Sequence, residues 1–166
     1  MSQLQTAVDQ IIFARRYTVG LLDGVPEAEW FRMPAEGVTH VAWQVGHLAM
    51  GQYRLTMELL RGRRPDDGEL ISDDFLRLFS RNSVPDANPA AYPAPAAIRA
   101  VFDRVHERVL AELKDFPEAE WSAPPTRAHR LAKTKMESLF WCGHHEMLHA
   151  GQIGLLRRLF GHPPQW

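Results

Sequence analysis

Apolar residues spaced at helical intervals are the feature that most restricts the fold of this chain. Four segments repeat such residues every three or four positions, as Leu4, Val8 and Ile11 do near the start, which is the pattern of a helix with one buried face. No segment shows the sustained alternation of apolar and polar residues that is typical of a β-strand. The sequence therefore predicts an all-α fold.

Residues that favour helix ends give approximate bounds for the four helices. We predict them at residues 2–22, 39–61, 95–113 and 134–160. Ser2 and Thr39 are suitable N-caps for the first two, and Pro95 is favoured in the first turn of the third. Thr134, followed three residues later by Glu137, forms a capping box at the start of the fourth.

A long connection, residues 63–94, separates the second and third predicted helices. The prolines of its later part exclude regular helix there, and a short helix is predicted only over residues 72–80. A crossover of this length is typical of one class of four-helix bundle. We therefore expect a four-helix bundle with a long crossover between helices 2 and 3, in a single domain spanning residues 1–166.

Charge and composition argue against several classes of function. The chain holds 19 basic and 20 acidic side chains, so it lacks the excess of positive charge that nucleic-acid binding requires. It has neither an apolar run long enough to span a membrane nor a signal-peptide pattern. Its single cysteine, Cys142, excludes an intrachain disulfide. We therefore expect a cytoplasmic protein that binds neither nucleic acid nor a membrane.

Two short sequence patterns occur twice. The pentapeptide PEAEW precedes both the second and the fourth predicted helix. Within those helices, Trp43 and His47 have the same spacing as Trp141 and His145. The repetition is explained either by two related halves or by coincidence in short loops rich in glutamate and alanine. In both cases the alignment pairs His47 with His145.

The string HHEMLH lies in the middle of the fourth predicted helix. On a helix, His145 and His149 are about 40° apart around the axis and about 6 Å apart along it, so both can bind one metal ion. Without a metal, such a pair would be a hydrogen-bonded part of the core, because buried imidazoles need polar partners. The string also matches the H-E-x-x-H pattern of zinc peptidases. A third ligand distinguishes these interpretations.

A zinc peptidase of this kind takes its third ligand from residues downstream of the string. No aspartate or glutamate occurs after Ala150, and Leu155 stands where the extended motif has a histidine. The chain also has no strand pattern for the sheet of such an enzyme. A zincin-type peptidase is therefore kept only as a minor alternative.

Residues upstream of the string include a better candidate for the third ligand. Cys142 is on the same face, but it lies about 10.5 Å from His149 along the helix axis, which is too far for one ion. A buried, inert thiol explains it better. Other histidines are predicted to lie at the surface: His40, His106, His129 and His144. His47 lies in mid-helix and is aligned with His145, so we predict a three-histidine site of His47, His145 and His149 with an open coordination position.

Two stretches resemble a known family. THVAWQVGHLAMGQ, which contains His47, and HEMLHAGQIGLLRRLFG, which contains an H-x3-H-x-G-Q string, are similar to the DinB-like superfamily. That superfamily includes YfiT-like metal-dependent hydrolases and bacterial thiol S-transferases. The resemblance covers nearly the whole chain. It implies a four-helix bundle, a divalent metal held by His47, His145 and His149, and a homodimer.

The resemblance and the three histidines together indicate a metal-dependent enzyme. It would act on a small molecule either by hydrolysis or by transfer of a low-molecular-weight thiol. Zinc is the expected ion because of its abundance, although three imidazoles also suit nickel, iron or copper. The alternative is a stress-associated metal-binding protein without turnover, in which a fourth ligand or packed side chains close the site.

Two further polar residues are candidates for a catalytic role. Glu146 would be the base of a peptidase, but on this helix it points about 100° away from His145, so a solvated or salt-bridged surface position is the alternative. Gln152 lies one turn beyond His149. It would either orient water or substrate, or form a hydrogen bond between helices.

Overall fold

The computed structural model describes residues 2–165, and within this range it contains helices and turns but no β-strand. The prediction of an all-α fold is confirmed. The α-helices, in chain order, are α1 (Gln3–Leu22), α2 (Val41–Gln52), α3 (Leu59–Arg61), α4 (Asp67–Leu70), α5 (Asp73–Leu78), α6 (Pro95–Lys114) and α7 (Lys135–Leu159). A π-helical segment (Tyr53–Glu58), here called the π segment, joins α2 to α3. Short 3₁₀ turns lie at Glu27–Glu29, Pro89–Ala91 and Glu118–Glu120.

Side-chain caps place the starts of α1 and α7 where the sequence predicts them. Ser2 Oγ accepts a hydrogen bond from the Gln5 amide at 3.1 Å. Thr134 Oγ1 accepts one from the Glu137 amide, also at 3.1 Å. The Glu137 carboxylate accepts a hydrogen bond from the Lys133 amide at 2.7 Å. In a standard capping box the donor is the amide of the N-cap residue itself, which here is Thr134. Both starts are therefore determined by residues close in sequence.

The second predicted helix is continuous but begins later than expected. It comprises α2, the π segment and α3, and it ends at Gly62, whose φ of +79° favours glycine. Its N-cap is His40 rather than Thr39, because His40 Nδ1 accepts a hydrogen bond from the Trp43 amide at 3.1 Å. The prediction that His40 lies at the surface is wrong. Its side chain is fully buried, with the ring of Tyr92 from the long connection packed edge-on against it.

The long connection packs onto α2 through α5. Ser72 caps α5 by accepting a hydrogen bond from the Phe75 amide at 3.2 Å, at the start of the short helix that the sequence predicts. The ring of Phe79 then lies against Gly46 of α2, where a Cβ atom would overlap the ring. This contact places the Phe79 carbonyl beside His47.

The long helices pair in a specific way. α1 packs along α7, α2 packs along α6, and α2 also contacts α7. The last contact is the one that matters for the site, because α2 and α7 carry the predicted metal ligands. None of the helices in residues 2–165 combines the length and the apolar character of a membrane span.

The two PEAEW pentapeptides adopt the same local structure. Each forms a 3₁₀ turn that ends at a buried tryptophan. The Trp30 carbonyl accepts a hydrogen bond from the Ala42 amide at 2.9 Å, near the start of α2. The Trp121 carbonyl accepts one from the Met136 amide at 3.0 Å, near the start of α7. Each pentapeptide therefore anchors the beginning of a helix that carries histidines of the site.

Candidate metal centre

Helices α2 and α7 bring three histidines together. His47 comes from α2, and His145 and His149 come from successive turns of α7. One ring nitrogen of each lies within 4.8 Å of a ring nitrogen of each of the others. The sequence predicts this same group. In the described part of the chain, no cysteine, aspartate, glutamate or further histidine joins it.

Hydrogen bonds orient two of these rings. His47 Nδ1 lies 2.8 Å from the carbonyl oxygen of Phe79. His149 Nδ1 lies 2.6 Å from Gln44 Oε1, and the Gln44 amide is fixed because its Nε2 donates to Thr39 Oγ1 at 3.0 Å. Because these oxygens only accept hydrogen bonds, each Nδ1 carries the proton and each Nε2 keeps its lone pair. This is the arrangement in which histidine ligands of metals are held.

Neighbouring residues restrict the rings further. Trp43 stacks on His47, with ring centroids 4.6 Å apart and ring planes 13° from parallel. The indole N–H of Trp43 donates to Ser83 Oγ at 2.9 Å, which ties the tryptophan to the long connection. Gly51 leaves space for His145, since a Cβ atom at that position would crowd the imidazole. The ring positions are therefore set by packing as well as by hydrogen bonds.

Burial keeps the imidazoles neutral at neutral pH. Together with a smaller contribution from neighbouring histidines, it lowers the pKa of His145 to about 4 and that of His149 to about 3. The pKa of His47 is also lowered, mainly by burial. A neutral imidazole is the form that binds metals. Converging lone pairs on neutral imidazoles fit a divalent cation, so the chemistry of the donor set supports a metal site.

Comparison with known families places this site in context. The family model described as the DinB superfamily matches residues 10–153, a range that includes the three histidines. The chain belongs to the DinB superfamily. The resemblance seen in the sequence is thereby confirmed. Comparison with curated proteins gives no match.

In this member of the DinB superfamily, Glu146 lies in the core. Its side chain is buried, and its Oε1 accepts a hydrogen bond from Arg15 Nε at 2.8 Å. Arg15 also donates to the Phe102 carbonyl at 2.6 Å and to Gln52 Oε1 at 2.7 Å. The alternative that placed Glu146 at the protein surface is wrong, because the side chain is buried. Its carboxylate is instead paired with a buried cation of α1.

Gln152 lies on the exposed side of α7 and lines a cavity of about 460 Å³ that reaches His149. We call it the apolar cavity, because Trp43, Leu155 and other apolar residues form much of its wall and no charged side chain is among the described residues that line it. The side chain of Gln152 has no hydrogen-bond partner within residues 2–165. Of the two alternatives for Gln152, the hydrogen bond between helices is therefore not present in this range.

Another cavity, of about 330 Å³, reaches His47 and His145. We call it the arginine cavity, because its lining includes residues that sequence reasoning did not select: Arg54, Arg81, Arg127 and Arg130. Trp141 also lines this cavity and is only partly buried. In the sequence, Arg127 and Arg130 lie close to His129, and this basic loop is a pattern that could have indicated a charged site. The position of the loop beside the metal ligands depends on tertiary packing, which the sequence pattern does not show.

The remaining candidate ligands are not members of the three-histidine cluster. Cys142 is buried, and burial raises the pKa of its thiol well above its usual range, which fits the predicted inert thiol. His144 is exposed, as expected. His106 and His129 are partly buried, so the prediction that both are solvent-exposed is wrong. His106 bonds to Gln52 at 3.0 Å, and His129 lines the arginine cavity.

Proposed function

We propose that this protein is a metal-dependent enzyme that binds a divalent ion through His47, His145 and His149 and transfers a low-molecular-weight thiol to a small electrophile. The main support for this proposal is that the three imidazoles converge. In two of them, His47 and His149, Nδ1 is hydrogen-bonded to an oxygen acceptor. Acceptors of this kind orient metal ligands and make them more basic. Zinc is the expected ion, with nickel, iron and copper as alternatives.

The proposed site has room for a substrate. Three protein ligands leave at least one coordination position open, as in catalytic zinc sites. Residues 2–165 supply no fourth ligand, and cavities reach the cluster at His145 and at His149. These features favour turnover over the alternative of a stress-associated metal-binding protein with a closed site.

The different characters of the cavities favour thiol transfer over hydrolysis. The apolar cavity borders His149, whereas the arginine cavity borders His47 and His145, so two organic molecules have separate places at one site. Hydrolysis needs a place for only one organic substrate. A divalent ion supplies Lewis acidity that lowers the pKa of a thiol. In the transfer the sulfur bonds to the electrophilic carbon, the leaving group departs with its electron pair, and the thiol proton passes to solvent.

Gln152 and Glu146 have different parts in this proposal. Gln152 lines the apolar cavity one turn from His149, where its amide can hydrogen-bond the electrophile. Glu146 is a positioning residue, because its ion pair with Arg15 joins α7 to α1. A carboxylate bound in this way is not free to act as the base of a peptidase, which argues against the zincin alternative.

The proposed architecture is a single-domain four-helix bundle with a long crossover, built from α1, the helix that contains α2, α6 and α7. The pairing of α1 with α7 and of α2 with α6 supports it. The proposed assembly is a homodimer, supported by leucines of α7 that remain more than half exposed: Leu148, Leu155 and Leu159. A cytoplasmic location fits a chain whose single cysteine is buried.

Metal content tests the proposal directly. The purified full chain should hold about one divalent ion, and elemental analysis identifies it. His145→Ala should lose the ion, because it removes one of the converging imidazoles. His144→Ala is the matched control, since His144 neighbours His145 on α7 but is exposed and outside the cluster. Absence of a stoichiometric metal, with equal uptake by both variants, contradicts the proposal.

Turnover is tested on the metal-loaded protein with a panel of low-molecular-weight thiols and a chromogenic aryl halide. Loss of free thiol that depends on the metal supports transfer. Release of product from ester or amide substrates without a thiol supports hydrolysis instead. A stoichiometric metal with neither activity supports the metal-binding protein without turnover.

A further inference from the structure

The arginine cavity draws its charge from chain segments that are far apart in sequence. Arg54 lies in the π segment, and Arg81 follows α5 in the long connection. Arg127 and Arg130 come from the loop between α6 and α7. Exposed arginines are ordinarily spread over a surface, where each is solvated separately. Here the fold collects them around one concavity whose inner wall includes His47 and His145.

Nearby acids neutralise these arginines only in part. No aspartate or glutamate is among the described residues that line the cavity. Glu58 is an ion-pair partner of both Arg54, at 3.8 Å, and Arg127, at 3.2 Å. Arg81 and Arg130 have no ion-pair partner within residues 2–165. The cavity therefore carries a net positive charge even before any metal ion adds to it.

The arginines lie on only one side of the histidine cluster, the side of His47 and His145. The apolar cavity reaches the same cluster at His149 and has no charged residue in its described lining. The arginine cavity also has apolar wall segments, including Met50, Leu131 and Trp141. The arginine cavity has a volume of about 330 Å³, which suits a small molecule. A nucleic acid would need an extended basic surface, whereas this chain has a net charge of −1.

We propose that the arginine cavity binds an anionic group of a small substrate, a carboxylate or a phosphate, and holds the rest of that molecule beside His47 and His145. Guanidinium groups suit both anions, because their planar donors form paired hydrogen bonds with two oxygens. The proposal rests on the proposed function, since it assigns a chemical class to one substrate of that site. Arg54, Arg81, Arg127 and Arg130 are its specificity-determining residues.

Anion binding is measured by titration calorimetry, separately from activity. The probes are succinate and inorganic phosphate, with succinamide as the uncharged analogue of succinate. Each is titrated into the metal-loaded protein and into protein stripped of metal by a chelator and dialysed. We expect one molecule of succinate or of phosphate to bind per chain in both the metal-loaded and the metal-free protein. The anion should bind at least tenfold more tightly than succinamide. Its affinity should decrease at higher salt concentration. The tighter of the two anions identifies the group.

Charge-neutralising variants locate the binding. Arg81→Gln combined with Arg130→Gln should weaken anion binding at least tenfold, because these arginines have no other ionic partner. Arg77→Gln is the matched control, since Arg77 is an exposed arginine that pairs with Asp74 and does not line the arginine cavity. It should leave the affinity unchanged. Circular dichroism confirms that each variant remains folded.

The outcomes separate this inference from the proposed function. Equal binding of succinate and succinamide, or equal anion affinity in the double variant and the wild type, overturns the inference. Binding that occurs only in the metal-loaded protein also overturns it, because the ion would then be the anion's ligand. All of these results leave the metal content untouched. Conversely, anion binding in a chain that takes up no metal supports the arginine cavity and contradicts the proposed metal-dependent function.

Discussion

Arg15 of α1 and Glu146 of α7 form a buried ion pair, with Arg15 Nε 2.8 Å from Glu146 Oε1. Each side chain is at most 6% exposed. Arg15 also lies over the ring of Phe102, with its Cζ atom 3.3 Å from the ring centroid. These contacts link α1, α6 and α7 at Glu146, the residue that follows His145.

Removing one member of this ion pair should destabilise the fold strongly. Glu146→Ala leaves the Arg15 charge buried without its partner, and we expect the free energy of unfolding to fall by about 3–5 kcal/mol. Urea unfolding of the metal-free protein at pH 7 measures it. Glu107→Ala is the control, because Glu107 is exposed on α6 and its loss should change stability by less than about 0.5 kcal/mol. Similar effects of the two substitutions would contradict the structural role of Glu146.

Gln44 should control metal affinity although it is not a ligand. Gln44→Ala removes the acceptor 2.6 Å from His149 Nδ1, so the ring loses its fixed orientation and tautomer. We expect the metal dissociation constant to rise by about 10–100-fold, measured by competition with a chromophoric chelator. Gln5→Ala changes an exposed glutamine of α1 and should leave the constant unchanged. Unaltered affinity in Gln44→Ala would rule out this orienting role.

Gly46 should tolerate no side chain. In Gly46→Ala the new Cβ atom overlaps the Phe79 ring, so the ring must shift and move the carbonyl that accepts the His47 hydrogen bond. We expect a loss of about 1–3 kcal/mol in the free energy of unfolding, together with weaker metal binding. Gly151→Ala in α7 is the control, because open space surrounds that position and a Cβ atom meets no neighbour. This substitution should change stability in the opposite direction, since alanine should stabilise the helix by about 0.5–1 kcal/mol. Equal stability changes would contradict the packing argument.

Stability should fall on acidification partly because of His40. Burial lowers its pKa from 6.5 to about 4, so between these values the unfolded chain binds a proton that the folded chain does not. Stability is full above pH 6.5 and decreases as the pH falls towards 4. At pH 5 the loss due to His40 should be about 2 kcal/mol.

His40→Asn isolates this contribution, because asparagine also caps helices and does not titrate. The difference in unfolding free energy between pH 8 and pH 5 should be smaller in this variant than in the wild type. His144→Asn, at an exposed site, should keep the wild-type difference. The same pH dependence in His40→Asn and the wild type would show that His40 does not titrate as proposed.

The sequence alone determined the parts of this protein that depend on nearby residues. Ser2 and Thr134 begin their helices by hydrogen bonds to amides three residues on, so their caps were predictable. The helical repeat places His145 and His149 on one face by itself. His47 was found by eliminating other candidates and by its register with His145, and the contact between α2 and α7 brings it to the pair.

Tertiary structure determined what depends on contacts between distant segments. The Phe79 carbonyl and Gln44 reach the site across 32 and 105 residues of sequence, so no local pattern indicates their hydrogen bonds to His47 and His149. His40 resembles an exposed helix start until Tyr92 covers it. Arg81 and Arg130 are ordinary surface residues in the sequence and acquire a shared cavity only when the long connection folds onto α2. The physical reason is that helix propensity is local, whereas burial, ligand orientation and charge clustering depend on which segments pack together.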